Sequence, residues 1–415
     1  MRKERLVVPI IASLAALWMA AQLLSSILFE HSLRQALSGL NARGEWRMQR
    51  VESHPGWLSS HGRIVISPLL GRPWRLEVSY QARHGLLSTD IEGALLPRLD
   101  TRLQQAVGDV SVRSYPRWQG RYHTLSGRTE LRLALAPLIV EQNRRQLNVR
   151  GARMRIEGVY GDWRLNASLD QLAFSDGDAS LQLGPVELVS RYTYIEDAYH
   201  FNQRDHLHIS ALNLTHPDLD LKVEPIDVLS EMHLDERELS VTGELVIGDT
   251  VLTEEAPDTP ILKGRVVAEL SRINADSVRQ IFAKLRKEAA WGDTSMPVAN
   301  GLLARLEPLL LNALQDSPRL DITTINLESP LLEIKANADG ALFFDARDLQ
   351  ELSLVDADNK AMQARWRSRL DGDITWDDAP SVAALWLGLP IGTRSLTFDL
   401  IAGSWRVNGR PLPEF

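Results

Sequence analysis

Histidine offers the most chemistry in this chain. His206 and His208 lie two residues apart in an alternating segment, so both rings project from one face of a strand, with His200 and His216 close by in sequence. Zinc sites use such pairs together with a third ligand and an orienting outer partner. Leu207, Ile209 and Ala211 form the apolar side of that strand, which puts His206, His208 and Ser210 on its wet side with no ligand motif beside them. An exposed pair is the expectation. Asp371-Gly-Asp373 with Asp377-Asp378 has the composition of an acidic calcium loop. It lacks the glycine at the sixth position and the glutamate at the twelfth, so a turn between strands is expected. Asp176-Gly-Asp178 reads as a hairpin turn. There is no Gly-x-Ser-x-Gly elbow, His-Glu-x-x-His, phosphate loop or dinucleotide fingerprint. With no cysteine, thiol catalysis, Cys-ligated zinc and thiol redox chemistry are excluded. No catalytic, cofactor-binding or metal-ligating residue is assigned, no cofactor is expected, and the chain is expected not to be an enzyme.

The elements that would carry these residues are mostly strands. Leu76, Val78 and Tyr80 alternate with Arg75, Glu77 and Ser79, and the same period of two returns in Leu131–Leu135, Trp163–Leu169, Leu219–Val223, Leu239–Val241 and Leu245–Ile247. Strands with one apolar and one polar side belong to antiparallel sheets with a wet face. Apolar runs repeatedly end at a proline, at Pro68, Pro137, Pro185, Pro225 and Pro330. Proline lacks the ladder N–H and is expected to end strands or lie at their edges. One helical block interrupts the sheet. Val278, Ile281, Phe282 and Leu285 share a face that Asn274 or Asp276 caps, and a second helix runs through Leu302, Leu306, Leu310 and Leu314 with Pro308 inside it. The expected class is mainly β (β-rich α+β), a long, twisted, largely antiparallel sheet with a helical insertion near 275–315.

The chain opens on 24 residues without a formal charge, Leu6 to Phe29, between Arg2, Lys3, Arg5 and Glu30, His31. As a helix they cover roughly 36 Å, enough for a hydrocarbon core of about 30 Å. A cleaved secretory signal is the competing reading, with Ala20-Ala21 a poor cleavage site and an apolar stretch longer than such signals need. An uncleaved transmembrane anchor at 6–29 is preferred, its basic flank placing residues 1–5 in the cytoplasm and the remainder in the periplasm. The expected organisation then continues with a juxtamembrane helix over 30–50, a β-rich region over 51–272, a helical pair over 273–316 and a second β-rich region over 317–415 on the same sheet. Residues 1–29 carry a net +2, which leaves −10 on the remainder of a chain whose formal charge is −8. That argues against nucleic acid as a partner. The arginines at 144, 145, 150, 153 and 155 are expected to form a solvated strand face. Eleven tryptophans suit a core, or alternatively the lining of an apolar groove.

Short motifs add a resemblance. The anchor, the helix after it and Gly56-Trp57-Leu58-Ser59-Ser60 resemble the opening of the YdgA-like proteins, the bacterial family of unknown function 945. His84-Gly85-Leu86-Leu87 resembles that family's "HGPL" turn, with leucine where proline is usual, and Gly403 to Pro411, with Asn408-Gly409, resembles its closing strand and turn. The stretch before Pro318 leading into Leu320-Asp-Ile322 also fits its layout, whereas residues 100–260 carry no match. The resemblance implies an inner-membrane-anchored envelope protein without established chemistry. Gly56, Trp57, Ser59, Ser60, His84, Gly85, Asn408 and Gly409 are expected to be structural, the glycines for their backbone angles and Asn408-Gly409 as a hairpin turn.

Two functions stand ahead of an enzyme of unrecognised class. One is a binding or scaffolding module in the envelope. The other is a lipid- or hydrophobe-handling protein with an apolar groove, like the AsmA-like proteins in outline only. A lipid, an envelope protein or a second copy of the chain are the partners considered, besides the inner membrane through residues 6–29. A filled core favours the scaffold; a continuous, uncovered apolar face favours the groove.

Overall fold

The computed structural model describes residues 4–42, 46–68, 74–99, 116–142, 144–195, 200–252, 260–290, 298–331 and 333–412, with the side chains of the first helix described from Trp18 to Gly39 and at Asn41. It is mainly β, with one large antiparallel sheet and few helices. Helix α1 (Glu4–Ala42) leads into β1 (Trp46–His54), β2 (Ser59–Pro68), β3 (Trp74–His84), β4 (Ser88–Leu99) and β5 (Arg117–His123). The middle holds β6 (Thr129–Ala134), β7 (Leu138–Gln142), β8 (Arg145–Arg150), β9 (Arg153–Val159), β10 (Asp162–Leu169), β11 (Gln171–Asp176), β12 (Ala179–Leu183), β13 (Val186–Ile195), β14 (His200–Ile209) and β15 (Leu212–His216). Longer strands follow, β16 (Leu219–Leu234), β17 (Glu238–Leu252) and β18 (Leu262–Asn274). Helices α2 (Ala275–Ala290) and α3 (Val298–Ala313) precede β19 (Arg319–Ser329) and β20 (Ile334–Phe344). The chain ends with α4 (Lys360–Arg367), β21 (Leu370–Asp377), α5 (Ser381–Trp386), β22 (Leu396–Ile401), β23 (Ser404–Val407) and β24 (Arg410–Pro411).

The topology is an antiparallel meander in which β1 to β6 and β16 to β24 pair with their neighbours in sequence. In the middle, pairs of short strands act as single long ones: β10 lies between β9 and β13 while its continuation β11 lies between β8 and β12. Beyond them β16 pairs with β15 along its first part and with β14 along its second. The breaks fall side by side, at 135–137, 151–152, 170, 184–185, 210–211 and, within β16, at 224–225. They form a crease across the sheet. Pro137, Pro185 and Pro225 sit on it, where a missing N–H is tolerated because ladder pairing is interrupted. The expectation that prolines end strands therefore fails at Pro225, which lies inside β16.

Alternation places the apolar residues in register. One row of cross-strand partners starts at Trp118 and passes through Leu133, Met154, Ala167, Leu188 and Leu207. It continues through Val228, Leu245, Val266, Ile325 and Ala338 to Trp376 and Leu396. Its neighbours on the opposite face are mostly polar, and there Arg155 pairs with Glu157. Among the described residues the sheet does not close: β1, β7 and β24 each pair with one strand only. Nor is its apolar side filled. Burial concentrates in separate clusters, around Phe29 and Tyr80, around Leu234 and Val278, and around Leu396 and Val407. The chain exposes 25645 Å², where a compact monomer of this mass exposes about 16,000 Å².

The helices close the ends of strands. Asn274 caps α2, its Oδ1 accepting from the Ser277 N–H at 3.0 Å, and Ala275 and Val278 pack on Leu234. Helix α3 continues through Pro308 without dividing. Two further expectations are corrected. Helix α1 runs to Ala42 and β1 begins at Trp46, so 46–50 is strand rather than juxtamembrane helix. Asp371, Gly372 and Asp373 lie within β21, paired with Phe343, Leu342 and Ala341, instead of forming a turn. Asp176-Gly-Asp178 does form the β11–β12 hairpin, with Gly177 at a φ of 61°. Part of the expected span, 6–29, falls outside the described side chains; among the described residues no helix is long and apolar enough to cross a membrane.

Candidate functional site

Helix α1 lies across the apolar face of the first strands and roofs a cavity of about 770 Å³, within the range of ligand pockets of about 300–1,000 Å³. Its floor is Ile64, Ile66, Val78, Ile91, Trp118, Leu131, Met154, Ile156 and Leu165, and its roof Phe29, Leu33, Ala36 and Leu37. The floor follows from register: Ile64 faces Val78, Leu131 faces Ile156, and Ile156 faces Leu165. Trp118 lies over Gly93, where a Cβ would come within 2.6 Å of its Nε1, and donates to the Ser79 carbonyl at 3.2 Å. The polar groups are few. Tyr122 OH and Ser32 Oγ share a 2.9 Å hydrogen bond, and Tyr192 packs against Tyr194 at the far side.

Two constellations fix the roof. Glu30 of α1 takes two hydrogen bonds from the Arg50 guanidinium, at 2.6 and 2.9 Å, and Arg50 also donates to the Tyr80 hydroxyl. The Glu30 contact holds the guanidinium pKa above its ordinary value, and burial raises that of the Tyr80 phenol. Nearer the hairpin tips lies a chain of buried polar groups. Ser60 Oγ is 3.2 Å from His84 Nε2, His84 Nδ1 is 3.0 Å from Thr89 Oγ1, and Ser25 Oγ of α1 reaches both Thr89 Oγ1 (3.3 Å) and Thr124 Oγ1 (2.8 Å). Gln22 Nε2 donates to the His84 carbonyl, and Ser26 Oγ to that of Gly56. Burial pushes the His84 pKa down, the Glu30 charge opposing it. The neutral imidazole thus bridges two hydroxyls.

The family-motif residues divide between two places. Gly56, Trp57, Ser59, Ser60, His84 and Gly85 meet at adjacent hairpin tips beside α1, where the His84 N–H donates to the Leu58 carbonyl at 2.8 Å. Neither Gly56 nor Gly85 has a positive φ. They are needed for close approach: a Cβ would come within 2.3 Å of the Ser59 carbonyl oxygen at Gly56 and within 2.9 Å of that of Ser88 at Gly85. The expectation of special angles is thereby corrected for these two. Asn408 and Gly409 do have positive φ, 47° and 77°, and turn β23 into β24 at the opposite edge of the sheet. Asn408 Oδ1 accepts from the Thr397 N–H at 2.8 Å.

Ser60 and His84 are the pair most like a nucleophile and base. Ser60 is fully buried and His84 is buried, and the second imidazole nitrogen meets a threonine hydroxyl where a triad has a carboxylate. The arrangement can hold α1 on the tips; it offers no room for a substrate. His206 and His208 both contact one oxygen, Asp227 Oδ1, at 3.0 and 2.8 Å on the partly exposed side. Among the described residues no group of three or more His, Asp or Glu is arranged to hold a metal ion. Ser25, Thr89 and Thr124, with Glu30 and Arg50, are the site residues that sequence reading missed. A signal for the first tips existed: Gly56-Trp57-Leu58-Ser59 and Gly85-Leu86-Leu87-Ser88 share one pattern, glycine, two apolar residues and serine.

No curated protein and no solved structure matches the chain. The family described as "Bacterial protein of unknown function (DUF945)" matches residues 1–377, which takes in α1, the hairpin tips and the cavity. The chain belongs to the DUF945 family.

Proposed function

We propose that this is a non-enzymatic, membrane-anchored protein of the bacterial envelope whose sheet binds a lipid or another long hydrophobe on its apolar face. The reading places α1 in the inner membrane with its start in the cytoplasm and the sheet in the periplasm. The observation that carries it is the cavity beneath α1 together with the apolar row that leaves it at Trp118, Leu133 and Met154 and runs on to Leu396. A binding surface for a compact polar ligand needs convergent polar groups; this one is lined mostly by aliphatic and aromatic side chains, with hydroxyls, Gln35, Arg132 and Arg164 as its polar members. A filled scaffold would bury such a row. Here Leu245, within it, remains about a third exposed.

The test is photo-crosslinking of the full chain, purified in mild detergent, with a phospholipid bearing a diazirine on its acyl chain. Labelled peptides from β2, β3, β5 and β9 support the reading. Labelling confined to residues 18–29 would mean that lipid meets the anchor alone, and would overturn it.

A further inference from the structure

Helix α1 is inside out between Trp18 and Ile27. Gln22, Ser25 and Ser26 are buried against the hairpin tips, while Trp18, Met19, Leu23, Leu24 and Ile27 point outward and are 43–55 % exposed. A helix docked on a protein in water shows the reverse polarity. In lipid this one is favoured, because hydroxyl and amide groups find partners within the protein and hydrocarbon meets hydrocarbon.

The tips beside it share that character. Turns favour glycine, proline, asparagine, aspartate and serine, yet these carry Trp57 and Leu58, Leu86 and Leu87, and Leu125, exposed by 43–82 %. They form one surface. The His84 N–H donates to the Leu58 carbonyl, the Thr124 N–H to the Leu87 carbonyl at 2.9 Å, and Ser25 and Ser26 tie α1 to Thr124 and to Gly56. The Gly85 N–H is satisfied within its own hairpin by the Ser88 carbonyl. Tip backbone paired in this way costs less to bring toward hydrocarbon, where water cannot replace a missing partner. A tryptophan among leucines is the side chain enriched at that depth. The first charged side chain after the run, Glu30, is neutralised by Arg50 rather than left toward the tips.

We infer that the three hairpin tips form an apolar collar around α1 that enters the outer interface of the membrane which α1 crosses, so that the sheet is held by a multi-point seat instead of a single tether. The occupant of this surface is the lipid bilayer, argued from its continuity with the uncharged run 6–29 and from the inverted polarity of the helix. The inference rests on the membrane-anchored part of the function proposed above and is independent of what the cavity holds.

Because the chain has no cysteine, single-cysteine variants of the full-length protein report position directly. Leu24→Cys, Leu87→Cys, Leu125→Cys and Leu219→Cys, the last exposed at the far ends of the strands, are labelled with an environment-sensitive fluorophore. They are then reconstituted in phosphatidylethanolamine–phosphatidylglycerol vesicles containing doxyl lipid. Strong quenching by the lipid and at least fivefold weaker iodide quenching at 24, 87 and 125 than at 219 are expected. If 24 is lipid-quenched while 87 and 125 behave like 219, the collar is wrong and the tether stands. If 24 also behaves like 219, both fall. Shielding of 87 and 125 from iodide and lipid alike would assign the tips to a protein partner and overturn the proposal.

Discussion

Glu30 and Arg50 meet in a two-pronged ion pair, Nη1 to Oε2 at 2.6 Å and Nη2 to Oε1 at 2.9 Å, at the point where α1 leaves the hairpin tips and begins to roof the cavity. Both side chains are mostly buried, Arg50 14 % and Glu30 12 % exposed. The pair joins the helix to β1, and through the Tyr80 hydroxyl to β3. Removing one partner strands a charge, which in buried pairs costs about 3 kcal/mol or more. Arg50→Met and Glu30→Gln are each expected to lower stability by about that amount in urea or thermal unfolding of the detergent-solubilised chain. The double variant Glu30→Leu/Arg50→Met recovers most of the loss, since it leaves no charge behind. Single variants within about 0.5 kcal/mol of wild type would identify the pair as solvated in solution.

His84 makes a pH prediction with a definite sign. Burial lowers its pKa in the folded protein, the Glu30 charge opposing, so the unfolded chain takes up the proton first as pH falls. The stability this residue contributes is complete above the ordinary histidine value of about 6.5 and is lost progressively below it, down to the folded pKa. Unfolding measured from pH 8 to pH 5 should show a fall below about pH 6.5 that is shallower in His84→Gln. That variant is also less stable at pH 8, because Ser60 and Thr89 each lose a buried partner. Parallel profiles for the two proteins would remove His84 as the titrating group.

At the other edge of the sheet the turn residues act alone. Gly409 has a φ of 77°, which an alanine adopts at about 1–2 kcal/mol. Asn408→Ala gives up the bond from the Thr397 N–H, worth about 1 kcal/mol. Both variants are expected to loosen β22 to β24, seen as faster amide exchange at Leu400 and Val407, while lipid cross-linking in β2 to β9 stays at the wild-type level. A change in that cross-linking would show the two edges of the sheet to be coupled.

Much of this was legible in sequence. Period-two alternation located strands such as Trp163–Leu169 and Leu219–Val223, and the helical pair appeared where periodicity and Asn274 placed it. The crease was not, because a proline at a strand's end and one where neighbouring strands break together look the same along the chain. Pro225 is the instance, its identity clear and its role set by β14 and β15. Gln22, Ser25 and Ser26 stood visible at helical spacing within the uncharged run. Only Thr89, Thr124, Gly56 and His84, distant in sequence, turn that spacing into a docking face.

The two faces of β10 allow the binding surface to be tested with one strand. Leu165 faces the cavity between Ile156 and Ser190, and its neighbour Asn166 points to the polar side beside Arg155 and Val189. A carboxylate introduced at 165 must stay in water or lose solvation against hydrocarbon, a cost of several kcal/mol that excludes an acyl chain from that stretch. Leu165→Glu is therefore expected to reduce acyl-chain cross-linking to β3, β5 and β9 by about tenfold or more, with circular dichroism unchanged. Asn166→Glu, adding the same charge one residue away, leaves cross-linking within about twofold of wild type, since successive side chains lie on opposite faces. Equal labelling of the two variants would mean that charge at this strand has no face-specific effect on the hydrophobe. The apolar row from Trp118 onward would then be a packing surface for something other than lipid.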